Sequence, residues 1–250
     1  MPAELGPMPK AIPELVESLN QFGFAVARKW VPPATIEELR RLPDLLNEVS
    51  AARRSGTVYG IRQLLTVAPW LQKIVNSSPI IELAQAILGG DARPVKGIFF
   101  DKTPDANWPV PWHQDVTITV RDTITGREPG QIPGFEMRPV KDGVVHAIPP
   151  VEFSENMLAL RIHLDDATAE HGALKVIAGS HKSGRLGPQQ VSHWIANSSS
   201  TVVPTATGDI LLMRPLLLHS SSPCLAPRHR RVIHIEYADR DLPGGLNWAG

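Results

Sequence analysis

Three His-x-acid triplets mark the chain: His113-Gln114-Asp115, His163-Leu164-Asp165 and His234-Ile235-Glu236. Two neutral imidazoles and a carboxylate on one face of an Fe(II) leave neighbouring coordination positions open, which is the ligand set of non-haem iron oxygenases. Nine His and 25 acids among 250 residues give about one such triplet by chance, so context has to choose. Residues i and i+2 of a strand share a face. His113 and Asp115 stand where a Trp/Pro-rich approach, residues 107–112, runs into the β-prone stretch 116–120, so they suit a rigid ligand pair entering a strand. His163 closes an apolar strand, where a core or edge role is the plainer reading. His234 and Glu236 alternate in the last strand and can simply line one sheet face.

A third ligand should come from a later strand. His219 ends the apolar run 216–218 and is followed by Ser220-Ser221-Ser222, which suits an imidazole pointing into a cavity. Eleven positions on, Arg230 precedes the strand-like run 232–237. A guanidinium there can hold a carboxylate by two parallel hydrogen bonds, and an anionic ligand would supply the pairing that a buried arginine needs.

These candidates need a rigid frame. The first ninety residues read as helical: Thr35 and Glu38 form a capping-box pattern ahead of an apolar periodicity that Pro43 should kink, and a second helix should start at Ser78-Pro79 and stop at Gly89-Gly90. From about Arg93 the pattern changes to short β-prone runs at 95–100, 116–120, 158–164, 174–177, 210–213 and 232–237, which suggests a sandwich or barrel. Residues 121–155 are rich in Gly and Pro and too long for an ordinary connection, so they are a candidate lid or substrate loop; 183–200 is a second such segment. One domain over 1–250 is expected, with 1–92 as mainly helical support and 93–240 as the β core.

Composition narrows the function classes. With 25 Lys+Arg against 25 Asp+Glu, the chain has no general field to attract nucleic acid or an acidic membrane. A single Cys excludes an intrachain disulfide and a Cys-rich zinc site, and fits a reducing cytoplasm. The stretch 1–17 is interrupted by Pro2, Pro7, Pro9 and Pro13, so neither export nor membrane insertion is expected. Proline, at 24 of 250, is about twice its usual 5%, which favours edges and ordered loops over a helical bundle.

Taken together, Phe100-Asp101-Lys102-x-Pro104, Trp112-His113-Gln114-Asp115, the stretch from Leu164-Asp165-Asp166 to Gly179-Ser180-His181-Lys182, and His219-x-Ser221 followed by Arg230 resemble the phytanoyl-CoA dioxygenase family. The resemblance covers most of the chain. It implies a mainly β fold with flanking helices, built on a double-stranded β-helix (a cupin-like jelly roll), and it selects His113, Asp115 and His219 as ligands of Fe(II). It also implies that 2-oxoglutarate is held by Arg230 and Ser221, with Arg62 and Arg161 as further pocket residues, and that O2 is the oxidant. Halogenases of this fold replace the carboxylate ligand by a small residue; Asp115 is present here, so hydroxylation of a small-molecule metabolite is expected, with succinate and CO2 released. Trp112, Phe135 and His146 are candidate substrate contacts. Arg62, Arg161, Arg121, Arg127 and Arg138 allow an anionic substrate, but no basic cluster suited to the phosphates of an acyl-CoA stands out. The alternative is a non-catalytic, cupin-like protein that binds metal and a small ligand. Oligomeric state is not readable from the chain.

Overall fold

The computed structural model of the protein describes residues 12–122, 132–141, 143–225 and 228–250. Residues 123–131 of the long Gly/Pro segment, with Arg127, fall outside these, as do Pro2, Pro7 and Pro9. Among the described residues, no helix is long and apolar enough to cross a membrane.

The frame is a seven-stranded antiparallel sheet in the order Phe24–Ala27, Ile210–Met213, Met157–His163, Arg230–Ala238, Arg93–Lys102, Thr57–Ile61, Ala52–Ser55. A four-stranded sheet, Thr201–Val203, Leu174–Val176, His219–Ser221, Val110–His113, packs against it. Strand alternation divides the large sheet cleanly. Leu160, Ile162, Ile210, Leu212, Ile233, Ile235 and Tyr237 turn outward under the helices, while Ala159, Leu211 and Met213 turn inward to meet Leu174, Val176 and Val203. The helical layer supplies Leu15, Leu19, Ile36, Leu39 and Leu83, and Tyr237 Oη donates to the Val75 carbonyl at 2.8 Å. The core is thus a double-stranded β-helix with helices on the outer face of its larger sheet.

Several local expectations change. The apolar periodicity after Pro33 gives two short helices, Pro33–Leu39 and Leu42–Leu45, instead of one kinked helix. Pro43 lacks the N–H that would continue the first helix, and it sits in the opening turn of the second. The Thr35/Glu38 box is unused because the first helix starts earlier, at Pro33. The first ninety residues also contribute three strands to the large sheet. The helix at Ile80–Leu88 lies where its signals put it.

The described part of 121–155 is ordered: strands Glu136–Lys141 and Val144–Ile148 form a hairpin in a third sheet with Ile118–Asp122 and Leu246–Trp248, and Val151–Glu155 is helical. The second long segment carries the helix Pro188–Asn197.

Candidate active site

His113 is the last residue of Val110–His113, and it lies directly opposite His219 on the neighbouring strand. Asp115 does not enter a strand as expected, since the next one begins only at Ile118. Instead the Asp115 N–H donates to the Pro215 carbonyl at 2.9 Å. The Gln114 side chain, pointing away from the ligands as its parity predicts, donates to the carbonyls of Leu216 and Gly184 and accepts from the Leu186 N–H. A hydrogen-bonded loop, not a pleat, therefore brings Asp115 back toward the two imidazoles.

One ligand atom from each of His113, Asp115 and His219 falls within 4.8 Å of the others. The Nδ1 of His113 is 2.8 Å from the Pro111 carbonyl, and that of His219 is 2.9 Å from the Leu217 carbonyl. Each Nδ1–H is thus engaged two residues upstream, which leaves Nε2 as the lone-pair nitrogen, the arrangement that orients metal-ligating histidines. Both Nε2 atoms face Asp115, at 3.7 Å from its oxygens. Burial pushes the His219 imidazole down to about 4. Burial opposes ionisation of Asp115, but the three surrounding histidines and Lys96 outweigh it and hold the carboxyl well below its ordinary range. The donor set, two neutral imidazoles and a carboxylate, fits Fe(II).

These three candidate ligands open into a cavity of about 210 Å³ between the two sheets. One strand, Arg93–Lys102, supplies Lys96, Ile98, Phe100 and Lys102 at every second position, and another, Arg230–Ala238, supplies Arg230, His234 and Glu236. Lys102, Arg161 and Arg230 are all buried here. Among the described residues, the buried Nε atoms of both arginines have no hydrogen-bond partner, and Arg161 contacts His234 Nδ1 at 3.3 Å and lies over the Phe100 ring. Lys102 Nζ donates to Ser221 Oγ at 2.9 Å and to the Ser222 carbonyl. Burial, reinforced by Arg230 and Arg161, pulls the Lys102 ammonium down to about 7; burial and Arg161 bring Arg230 to about 10. Buried cations with open donors are costly unless an anion joins them. The acids nearby are otherwise engaged: Asp115 sits among histidines, and Glu236 is held by Lys96 at 2.7 Å and His234 at 3.4 Å. The cradle fits a small carboxylate such as 2-oxoglutarate.

The expected residues divide. His113, Asp115, His219, Ser221, Arg161 and Arg230 line this one cavity. Arg231, the neighbour of Arg230, points to the other face and clasps Asp165 with Nε and Nη2 at 2.8 Å each. Arg62 lines adjoining hollows instead, one of them shared with His146, whose buried Nδ1 has no hydrogen-bond partner among the described residues. Phe135 packs edge-on against Phe153 in a separate apolar cluster, and Trp112, half buried beside His113, does not line the cavity. Arg121 donates to the Ala249 carbonyl and Arg138 to Glu136. His163 Nδ1 pairs with Thr205 Oγ1 at 2.9 Å while Asp165 faces Arg231, so that triplet diverges.

Sequence reasoning passed over Lys102, Trp108, Lys96, His234 and Glu236 as cavity residues. The alternation Lys96-x-Ile98-x-Phe100-x-Lys102 was the available signal, because two charges at inward positions of a core strand are rare without a function.

No curated protein sequence matches the chain significantly. Solved structures do. AviO1 from Streptomyces viridochromogenes Tue57 is 24% identical, with 96% of this chain and 100% of that one covered and a TM-score of 0.66. EctD from S. alaskensis with 2-oxoglutarate and 5-hydroxyectoine is 14% identical over 94% and 79% of the two chains, at a TM-score of 0.68. The epimerase SnoN in complex with Fe3+, alpha ketoglutarate and nogalamycin RO is 15% identical over 94% and 91%, at 0.66. At such identities the likeness establishes the fold, the jelly roll already described. The sequence itself goes further: the model of the phytanoyl-CoA dioxygenase (PhyH) family matches residues 19–232, and by that match the chain belongs to this family.

Proposed function

We propose that the protein is an Fe(II)- and 2-oxoglutarate-dependent dioxygenase that hydroxylates a small-molecule metabolite at an unactivated C–H. The observation that carries this reading is the adjacency, in one cavity, of the His113/Asp115/His219 cluster and the buried cations Arg161 and Arg230, whose Nε atoms have no hydrogen-bond partner among the described residues. When bound, Fe(II) with 2-oxoglutarate and O2 supplies the oxidising power for C–H chemistry, and the 2-oxoglutarate leaves as succinate and CO2. The chain's own part is placement. His113 and His219 present Nε2, Asp115 presents its carboxylate, and the hydrogen bonds of Gln114 fix the loop between them. Arg230, Lys102 and Ser221 hold the far carboxylate of the co-substrate, and Ile98 and Phe100 keep the reacting side apolar, which limits damage from a strong oxidant.

The test is succinate release from 2-oxoglutarate under Fe(II) and O2, comparing the native protein with Asp115→Ala, together with a product heavier by one oxygen atom in the presence of substrate. Iron-dependent turnover that Asp115→Ala abolishes supports the reading. A native protein that neither binds 2-oxoglutarate in an iron-dependent way nor releases succinate overturns it, and a product that keeps the substrate's oxygen count removes hydroxylation in favour of desaturation, ring closure or epimerisation.

A further inference from the structure

The cavity at the metal ligands encloses about 210 Å³, while a cleft against it encloses about 580 Å³. Sites that bury drug-sized molecules run to about 300–1,000 Å³. The inner cavity therefore has room for one small co-substrate, and a second organic molecule has to lie mainly in the cleft. The two spaces adjoin, since Ile98, Phe100 and Trp108 line both.

The cleft wall is aromatic. Tyr59, on the strand Thr57–Ile61, and Trp108 meet edge to face with ring centroids 5.2 Å apart, and both are only half buried. Large rings left half exposed on a concave wall offer a second ring stacking or edge contacts beyond simple burial. The turn that carries Trp108 is tied down at several points: Ser55 Oγ donates to the Asp105 carbonyl at 3.0 Å, Asn107 and Cys224 exchange two hydrogen bonds at 2.6 Å, and Thr103 pairs with Ala106. The wall is preformed, so a ligand need not order it. Arg53 and Arg62 also line the cleft. Each guanidinium presents its N–H donors in a planar fork, a shape suited to an oxygen acceptor on a ligand. Asp105 adds a carboxylate to the lining, which disfavours a polyanion.

We infer that the substrate is a planar ring system with an oxygen acceptor at its outer end, its ring against Tyr59 and Trp108, the acceptor toward Arg53 and Arg62, and the reacting carbon carried over Ile98 and Phe100 to the metal ligands. This rests on the dioxygenase reading for the reaction, but the cleft's preference for a ligand stands apart from it.

Calorimetric titration with three probes tests it: 2-naphthoate carries ring and acceptor, 2-naphthylmethylamine the ring with a cationic donor in place of the acceptor, and heptanoate the acceptor alone. Each is titrated into the protein as isolated and into protein loaded anaerobically with Fe(II) and 2-oxoglutarate. The expected result is that 2-naphthoate binds at least fivefold more tightly than either of the others in both forms. Tyr59→Ala should weaken it at least fivefold, with 2-oxoglutarate affinity within twofold of native, and Tyr59→Phe should restore most of the loss, which separates ring contact from misfolding. Heptanoate binding as tightly as 2-naphthoate, or Tyr59→Ala leaving 2-naphthoate affinity unchanged, overturns the inference. Failure of 2-oxoglutarate to bind while 2-naphthoate binds as described overturns the dioxygenase reading and leaves the cleft assignment standing.

Discussion

Lys102 and Arg230 stand directly opposite one another on adjacent antiparallel strands, both buried. Like charges in facing positions destabilise a sheet, and burial deepens the penalty. Such a pair fits a place where stability is given up to hold an anion. Lys102→Met, which keeps the length and removes the charge, should therefore raise the melting temperature of the ligand-free protein; relief of about 1 kcal/mol corresponds to about 2–4 °C in a chain of this size. The same variant should lose at least about tenfold in 2-oxoglutarate affinity, as expected for one charge-assisted hydrogen bond. Thermal melts with and without 2-oxoglutarate read both effects.

The same lysine predicts a pH dependence. Its folded-state value of about 7 lies below the roughly 10.4 of an unfolded chain. Between those values the unfolded state holds a proton that the folded state has lost, so ligand-free stability should rise with pH from about 7 to 10. A bound carboxylate favours the ammonium form, so 2-oxoglutarate affinity should fall as pH climbs above 7. Titrations at pH 6.5 to 9 with Mn(II) in place of Fe(II) should show this slope in the native protein and a flat profile in Lys102→Met.

Neighbouring arginines should separate by role. Arg230→Lys keeps a charge but loses the fork, and should weaken 2-oxoglutarate binding about 10–100-fold. Arg231→Ala removes the clasp on Asp165 at the opposite face and should lower the melting temperature with little change in co-substrate affinity. Binding isotherms and melts on the two variants distinguish them; equal losses of affinity would show that the two side chains share the site.

Metal affinity should depend on one triplet only. Asp115→Ala should cost at least about 100-fold in Fe(II) or Mn(II) affinity, more than the 10–100-fold typical of residues behind the ligands. His163→Ala should destabilise the fold through its lost contact with Thr205 yet leave metal affinity near native. Equilibrium dialysis of both variants checks the assignment.

Gly172 couples fold to site. Its φ is +65°, and an added Cβ would lie 2.5 Å from the Ser222 carbonyl, the same carbonyl that accepts from Lys102. Gly172→Ala should cost about 1–2 kcal/mol for the left-handed backbone alone, with more from the contact, and should weaken 2-oxoglutarate binding because Ser222 must shift. A melt and an isotherm on the same sample would show the two losses together.

Much of this was legible in the chain. The triplet at His113, the apolar run ending at His219 and the arginine at 230 are local statements about residue type and spacing, and strand periodicity then says which side chains share a face. The helix at Ile80–Leu88 and the strand at Ile210–Met213 follow from signals inside their own segments. The capping box at Thr35 was misleading because a stronger start, Pro33, lay two residues upstream.

The amino-acid sequence by itself determined the candidate ligand types, the alternation along each strand and membership of a family. Only the tertiary structure decided which inward faces meet. Periodicity places Lys102 and His234 on one side of their strands, but it cannot say that Lys102 faces Arg230, that His234 lies opposite Arg161, or that Tyr59 reaches Trp108 across 49 residues of chain. Those pairings depend on strand order and register, which are set by the packing of the whole sheet and not by any segment of it.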